Sequence, residues 1–116
     1  MFIFKTRIIE GEGRGARLGF PTINLDHSEL RYEFGVYLGE ATFSKRKYLC
    51  LIHFGPKKTF SDKVSLELYL EKYIEVNVKE EIEVKIIKRI RNIEKFETEK
   101  ELKEQIARDK KFLKGK

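Results

Sequence analysis

The sequence predicts a small antiparallel β fold, a barrel or a sandwich, followed by one C-terminal helix. Three observations carry that prediction. Apolar residues recur mostly at every second position from Phe2 to Ile86, no helix-length segment separates these runs, and the pattern changes to a helical one after Thr98.

In the first run, Phe2, Phe4, Thr6 and Ile8 fall on one side of a strand, with Ile3, Lys5, Arg7 and Ile9 on the other. The stretch Gly11 to Gly19 cannot continue it, because glycine weakens helix and strand alike. Gly35–Phe43 and Lys47–Phe54 are β-rich runs joined through Ser44-Lys45-Arg46, which is composed as a hairpin turn. Val64–Leu70 alternates, with Leu66, Leu68 and Leu70 on one face and Ser65, Glu67 and Tyr69 on the other. Ile74–Val78 alternates again, as do Ile82, Val84 and Ile86. The runs predict about six strands with short connections. The final segment opens with a capping box, Thr98 as N-cap and Glu101 at N3. Glu99 and Glu101 near its start, and Arg108, Lys110, Lys111 and Lys114 near its end, complement the helix dipole. Leu102, Ile106 and Leu113 form the stripe that would dock on the sheet, and Gly115 would end the helix.

Length and composition bound the function. A chain of 116 residues predicts one domain, residues 1–116, with one core. Nine Phe and five Tyr spread along it argue against disorder. The single cysteine, Cys50, excludes an intrachain disulfide and a thiolate zinc cluster; it lies in an apolar run and is expected to be a buried, inert thiol. No apolar run reaches the length of a membrane helix, and the start turns charged too soon for a signal peptide, so a cytoplasmic protein without a membrane partner is expected. The 25 Lys and Arg against 19 Asp and Glu leave a net charge of +6. The charges are mixed along the chain rather than clustered, which argues against nucleic acid as the partner.

The segment GEGRGARLGFPTINL, Gly11 to Leu25, carries the chemistry. Gly11, Gly13, Gly15 and Gly19 let backbone N–H groups approach a ligand, and Arg14 and Arg17 add positive charge; the combination suits a polyphosphate. A flexible surface loop between two strands would carry the same glycines. No Gly-Lys-Ser/Thr follows, so it is not a Walker A loop, and Pro21 with the β-branched residues opposes the helix that a dinucleotide fingerprint requires. Pro21 favours an extended backbone, which places Thr22 and Asn24 on one side. A hydroxyl and a carboxamide there are neutral oxygen donors suited to Mg²⁺ held mainly by phosphates, although both residue types also satisfy ordinary turns. His27 and His53 are too far apart and too poorly accompanied for a metal site.

This segment resembles the glycine-rich loop and Pro-Thr-x-Asn motif of the ATP-dependent riboflavin kinases, including the kinase module of bacterial FAD synthetases. The likeness continues in order through Gly35-Val36-Tyr37, Phe54-Gly55 to Thr59-Phe60, Ser65-Leu66-Glu67-Leu68-Tyr69-Leu70, Arg91-Asn92-Ile93-Glu94-Lys95-Phe96 and the ending Glu101-Leu102, Gln105-Ile106 and Asp109. It implies a closed, six-stranded antiparallel Greek-key β-barrel with a C-terminal α-helix, in agreement with the strand count. It also implies the reaction: the γ-phosphoryl of ATP passes to the terminal ribityl hydroxyl of riboflavin, giving FMN and ADP with Mg²⁺ as cofactor, in a monomer with riboflavin and ATP as its partners. By the same resemblance Glu67 is the catalytic carboxylate and Thr22 and Asn24 hold Mg²⁺. Gly11, Gly13, Arg14, Gly15 and Arg17, with Thr22 and Asn24, bind the nucleotide, and Arg91, Glu94 and Phe96 border the flavin. Taken without the family, Phe96 could stack on a flavin ring but an aromatic before a helix is more often core packing, and Arg91 could pair with a phosphate or a flavin carbonyl or simply lie on the surface near Glu94.

Three places depart from the family's pattern: His53 stands for an Asn, Lys57-Lys58-Thr59 for Arg-Pro-Thr, and Val78-Lys79 for a Tyr-Gly pair. Two other functions compete, a non-catalytic flavin-binding module of the same fold and a small basic barrel binding RNA or single-stranded DNA through aromatics such as Tyr69 and Tyr73 near Lys72.

Overall fold

In a computed structural model of the chain, which describes residues 2–11, 22–56, 63–72 and 74–114, six strands close into an antiparallel barrel. They are β1 (Phe2–Ile9), β2 (Thr22–Leu25), β3 (Gly35–Phe43), β4 (Arg46–Pro56), β5 (Val64–Leu70) and β6 (Glu81–Arg91), in the spatial order β1-β2-β5-β4-β3-β6. β3, β4 and β5 form a meander, and β2 returns to lie beside β5, which is a Greek-key arrangement. Helix α1 (Glu99–Asp109) and one further turn, α2 (Lys111–Lys114), complete the chain.

The period-two pattern fills the barrel as expected. Ile8, Ile23, Leu25, Tyr37, Ala41, Phe43, Cys50, Ile52, Phe54, Leu66, Leu68, Ile82, Val84 and Ile86 form the interior cluster. β3 and β5 have the boundaries that their alternation implies. At the β3–β4 hairpin Phe43 pairs with Arg46, so the loop has two residues, Ser44 (φ 47°) and Lys45 (φ 71°). Both lie in the left-handed region, as a type I′ turn demands of its central pair.

One strand is corrected. Residues 74–78 form no strand; they run irregularly into a turn at 78–79. β5 already has β2 on one side and β4 on the other, so no ladder edge is left for a strand that follows it. The alternation serves burial instead, since Ile74 and Val76 pack against the interior cluster. The sixth place in the barrel belongs to the short extended segment Thr22–Leu25.

α1 starts as its sequence predicts. Thr98 Oγ1 accepts the Glu101 N–H at 3.2 Å, and Glu101 Oε1 accepts the Thr98 N–H at 3.3 Å. Leu102, Ile106 and Leu113 are buried against Leu38, Leu51 and Tyr69, which project from the outer face of the barrel. Gly115 lies outside the described residues. The segment between β2 and β3 crosses one end of the barrel, where Leu30 packs on the interior cluster and Tyr37 Oη donates to the Glu33 carbonyl at 2.6 Å.

Candidate active site

Strand pairing assembles the candidate residues. Ile23 and Leu25 point inward, so Thr22 and Asn24 point outward. Leu66 and Leu68 point inward, so Glu67 and Tyr69 share the outer face as well. In the β2–β5 ladder Asn24 lies opposite Glu67 and Thr22 opposite Tyr69. On the other flank Glu67 lies opposite His53, His53 opposite Val36, and Val36 opposite Arg91. A single transverse row, Asn24-Glu67-His53-Val36-Arg91, therefore crosses five strands. At the usual strand spacing of about 4.8 Å, its three intervals from Glu67 to Arg91 span roughly 14 Å of barrel surface.

The row is sheltered. Glu67 is 4% and His53 2% exposed. Tyr69, two residues after Glu67 on the same face, donates its hydroxyl to Glu67 Oε1 at 3.3 Å. Burial of Glu67 thus comes with a hydrogen-bond donor aimed at the carboxylate, as a buried acid requires. Gly11 comes directly against Asn24: a Cβ built on Gly11 would lie 1.9 Å from Asn24 Nδ2 and 2.5 Å from its Cγ. The start of the glycine-rich segment and the Thr-x-Asn strand thus meet because β1 and β2 pair at Ile8–Leu25 and Ile9–Asn24.

Gly13, Arg14, Gly15 and Arg17 lie outside the described residues, as do Gly19, Pro21, the Lys57-Lys58-Thr59 departure and Tyr73. Arg91, at the end of β6, is not a surface residue beside Glu94. Its Nε donates to Asp109 Oδ1 and Oδ2 at 3.1 and 3.2 Å, Nη2 donates to Oδ2 at 2.8 Å, and Nη1 donates to the Asn92 carbonyl at 3.0 Å. Glu94 is exposed in the connection to α1, and Phe96 packs against the cluster of Leu38, Leu51, Tyr69 and Leu102.

Two participants escaped the sequence reading. Tyr69, which alternation places on the face of Glu67 but to which the sequence assigns no part in the site, is buried beneath α1 and bonded to Glu67. Its position two residues from Glu67 was the available signal. Asp109 had no role. The signal there was an acid at the C-terminal end of a helix, where the dipole disfavours it unless a cation compensates. Cys50 is buried in the interior, and burial, reinforced by Glu40, pushes its thiol up to about 12.

With this arrangement the comparisons agree. The sequence model of the riboflavin kinase (flavokinase) family matches residues 1–115. The chain belongs to the riboflavin kinase family. A bifunctional riboflavin kinase/FMN adenylyltransferase of Bacillus subtilis (strain 168) is 35% identical over 115 residues, covering 94% of this chain and 36% of that protein. The RNA-binding riboflavin kinase RibR of the same organism is 31% identical over 111 residues, covering 94% of this chain and 48% of that one. The chain thus spans between about a third and a half of the length of these flavokinase relatives. A crystal structure described as a macrolide-efflux protein from Streptococcus pneumoniae matches with a TM-score of 0.82 and 24% identity over 98% of this chain and 38% of that one, a likeness of fold alone. Among the described residues no helix is long and apolar enough to cross a membrane.

Proposed function

We propose that the protein is a riboflavin kinase, moving the γ-phosphoryl of ATP to the terminal ribityl hydroxyl of riboflavin to give FMN and ADP. The observation that carries this reading is the meeting of Gly11, Asn24 and Glu67: backbone free of a side chain, neutral oxygen donor and carboxylate, side by side on the outer face. Phosphoryl transfer needs positioning and charge neutralisation more than covalent chemistry, and these groups supply both.

In this mechanism Glu67 accepts the proton of the ribityl hydroxyl as the new O–P bond forms and the bond to the ADP oxygen breaks. Tyr69, whose hydroxyl donates to Glu67 Oε1, orients the carboxylate. The donor set of Thr22 hydroxyl, Asn24 carboxamide oxygen and nearby carboxylate is made of hard oxygens, and the missing side chain of Gly11 makes room for the Asn24 carboxamide beside it. That set fits Mg²⁺, with Thr22 and Asn24 as its protein ligands. A bound cation supplies charge neutralisation on the phosphates. Gly13, Arg14, Gly15 and Arg17 complete the nucleotide cradle in this reading, while Arg91, Glu94 and Phe96 border the flavin at the other end of the row.

The experiment is an incubation of purified protein with riboflavin, ATP and Mg²⁺, followed by chromatography for FMN. ATP-dependent FMN that disappears on chelation supports the reading. Riboflavin bound without product would leave a flavin-binding module in its place.

A further inference from the structure

Asp109 is the last residue of α1, and only 6% of its side chain is exposed. A carboxylate there meets the negative end of the helix dipole and loses its hydration, so it persists only with strong partners. It has two. Arg91 presents Nε and Nη2 in a bidentate fork, at 3.1 and 2.8 Å, and Gln105 Nε2 donates to Oδ1 at 3.0 Å. Such a fork fixes the plane of the guanidinium as well as its position.

The consequence falls on the rest of Arg91. A guanidinium has five N–H donors. Two are turned to Asp109 and a third, on Nη1, goes to the Asn92 carbonyl at 3.0 Å. One N–H on each terminal nitrogen is left, and the direction of both is set by Asp109. The backbone beneath is held independently. Val36 pairs with Arg91, and Arg89 Nη2 donates to Asn92 Oδ1 at 2.6 Å while its Nη1 donates to Glu33 Oε1 at 3.0 Å and to Tyr37 Oη at 2.9 Å.

We propose that Asp109 is a positioning residue for the flavin, aiming the two remaining N–H groups of Arg91 at the isoalloxazine of riboflavin and of its product FMN. The proposal rests on the kinase reading, in which Arg91 borders the flavin. Asp109 itself does not touch substrate; it acts through Arg91. The terminal helix then contributes to substrate recognition as well as covering Leu38, Leu51 and Tyr69.

The test compares Asp109→Asn, which keeps the shape and removes the charge, with Leu102→Ala, which weakens helix docking without touching Arg91. Riboflavin binding is titrated by flavin fluorescence without nucleotide, and KM is measured separately for riboflavin and ATP. Asp109→Asn is expected to raise the riboflavin Kd and KM about tenfold or more, with the ATP KM changed less than about twofold. Leu102→Ala lowers Tm yet keeps the riboflavin Kd within about twofold, measured where both variants are folded. A riboflavin Kd unchanged in Asp109→Asn overturns the proposal, and so does an equal loss in Leu102→Ala, which would assign the effect to helix docking. Parent protein that binds riboflavin but forms no FMN refutes the kinase reading, and the same titration still decides for or against Asp109. Parent protein that binds no riboflavin refutes both.

Discussion

Asn24 and Glu67 lie opposite one another in the β2–β5 ladder, on the outer face of the barrel. Two segments far apart in the chain, the one after the glycine-rich stretch and the one ending in Leu70, are thereby placed at neighbouring-strand distance. Side chains so paired lie about 5 Å apart at Cβ, within common reach of one phosphate.

Replacing Glu67 by Gln removes the proton acceptor and keeps the shape. FMN formation should fall about 10²- to 10⁴-fold in kcat, while the riboflavin Kd stays within about twofold. Tyr69→Phe should act in the same direction by a smaller factor, because it removes one hydrogen bond to the carboxylate rather than the carboxylate. Full turnover in Glu67→Gln would take the base role from this residue.

Gly11→Ala tests the close approach to Asn24. The new Cβ would sit 1.9 Å from Nδ2, so the carboxamide must move. A displacement of about 1 Å at a positioning group costs up to about 10²-fold, and kcat/KM for ATP should drop by at least about tenfold. The riboflavin titration without nucleotide should be unaffected, which separates a local effect from misfolding.

Lys45 (φ 71°) and Lys79 (φ 77°) both occupy backbone conformations that favour glycine. Lys79 stands where the family pattern has the glycine of a Tyr-Gly pair, and its N–H is held by the Ile8 carbonyl at 2.7 Å. Lys45→Gly and Lys79→Gly should each stabilise the protein, by about 0.5–1 kcal/mol, after the extra chain entropy of glycine is set against the strain relieved. Thermal melts should show an upward shift of a few degrees for each; a lower Tm would mean that the lysine side chain contributes more than its backbone costs.

Cys50, its thiol pushed up to about 12 by burial, should resist a thiol-specific reagent at pH 8 in the folded protein and react at once in guanidinium. The sign of its pH linkage follows. A thiol whose folded pKa is raised contributes stability that is complete below its unfolded pKa, near 8.5, and is lost as pH rises toward 12. Chemical denaturation of Cys50→Ser against the parent between pH 8 and 10.5 should show that part of the alkaline loss of stability disappears in the variant.

Local pattern was sufficient for much of this. Period-two alternation located β1, β3, β4, β5 and β6, the composition of residues 44–46 located the hairpin, and the Thr98–Glu101 capping box located the helix start. Those features are decided by neighbours in the chain, where sequence is informative. Ile74–Val78 misled because alternation reports one-sided burial, whatever element supplies it. Whether a strand forms there depends on a free ladder edge, and β2 had occupied it. Phe96 and Arg91 illustrate the same limit: their partners, the Leu51–Tyr69–Leu102 cluster and Asp109, come from other elements.

The sequence by itself determined the antiparallel strand content, the capped terminal helix, the phosphate-suited composition of Gly11–Leu25 and the outward face of Glu67, because each depends on residue type and spacing over a few positions. Only the tertiary structure decided that Asn24, Glu67 and His53 stand in one row, that Gly11 closes on Asn24, and that Asp109 fixes Arg91. Those relations depend on ladder register and barrel closure, and register is a property of two strands at once, which a single run of residues does not contain.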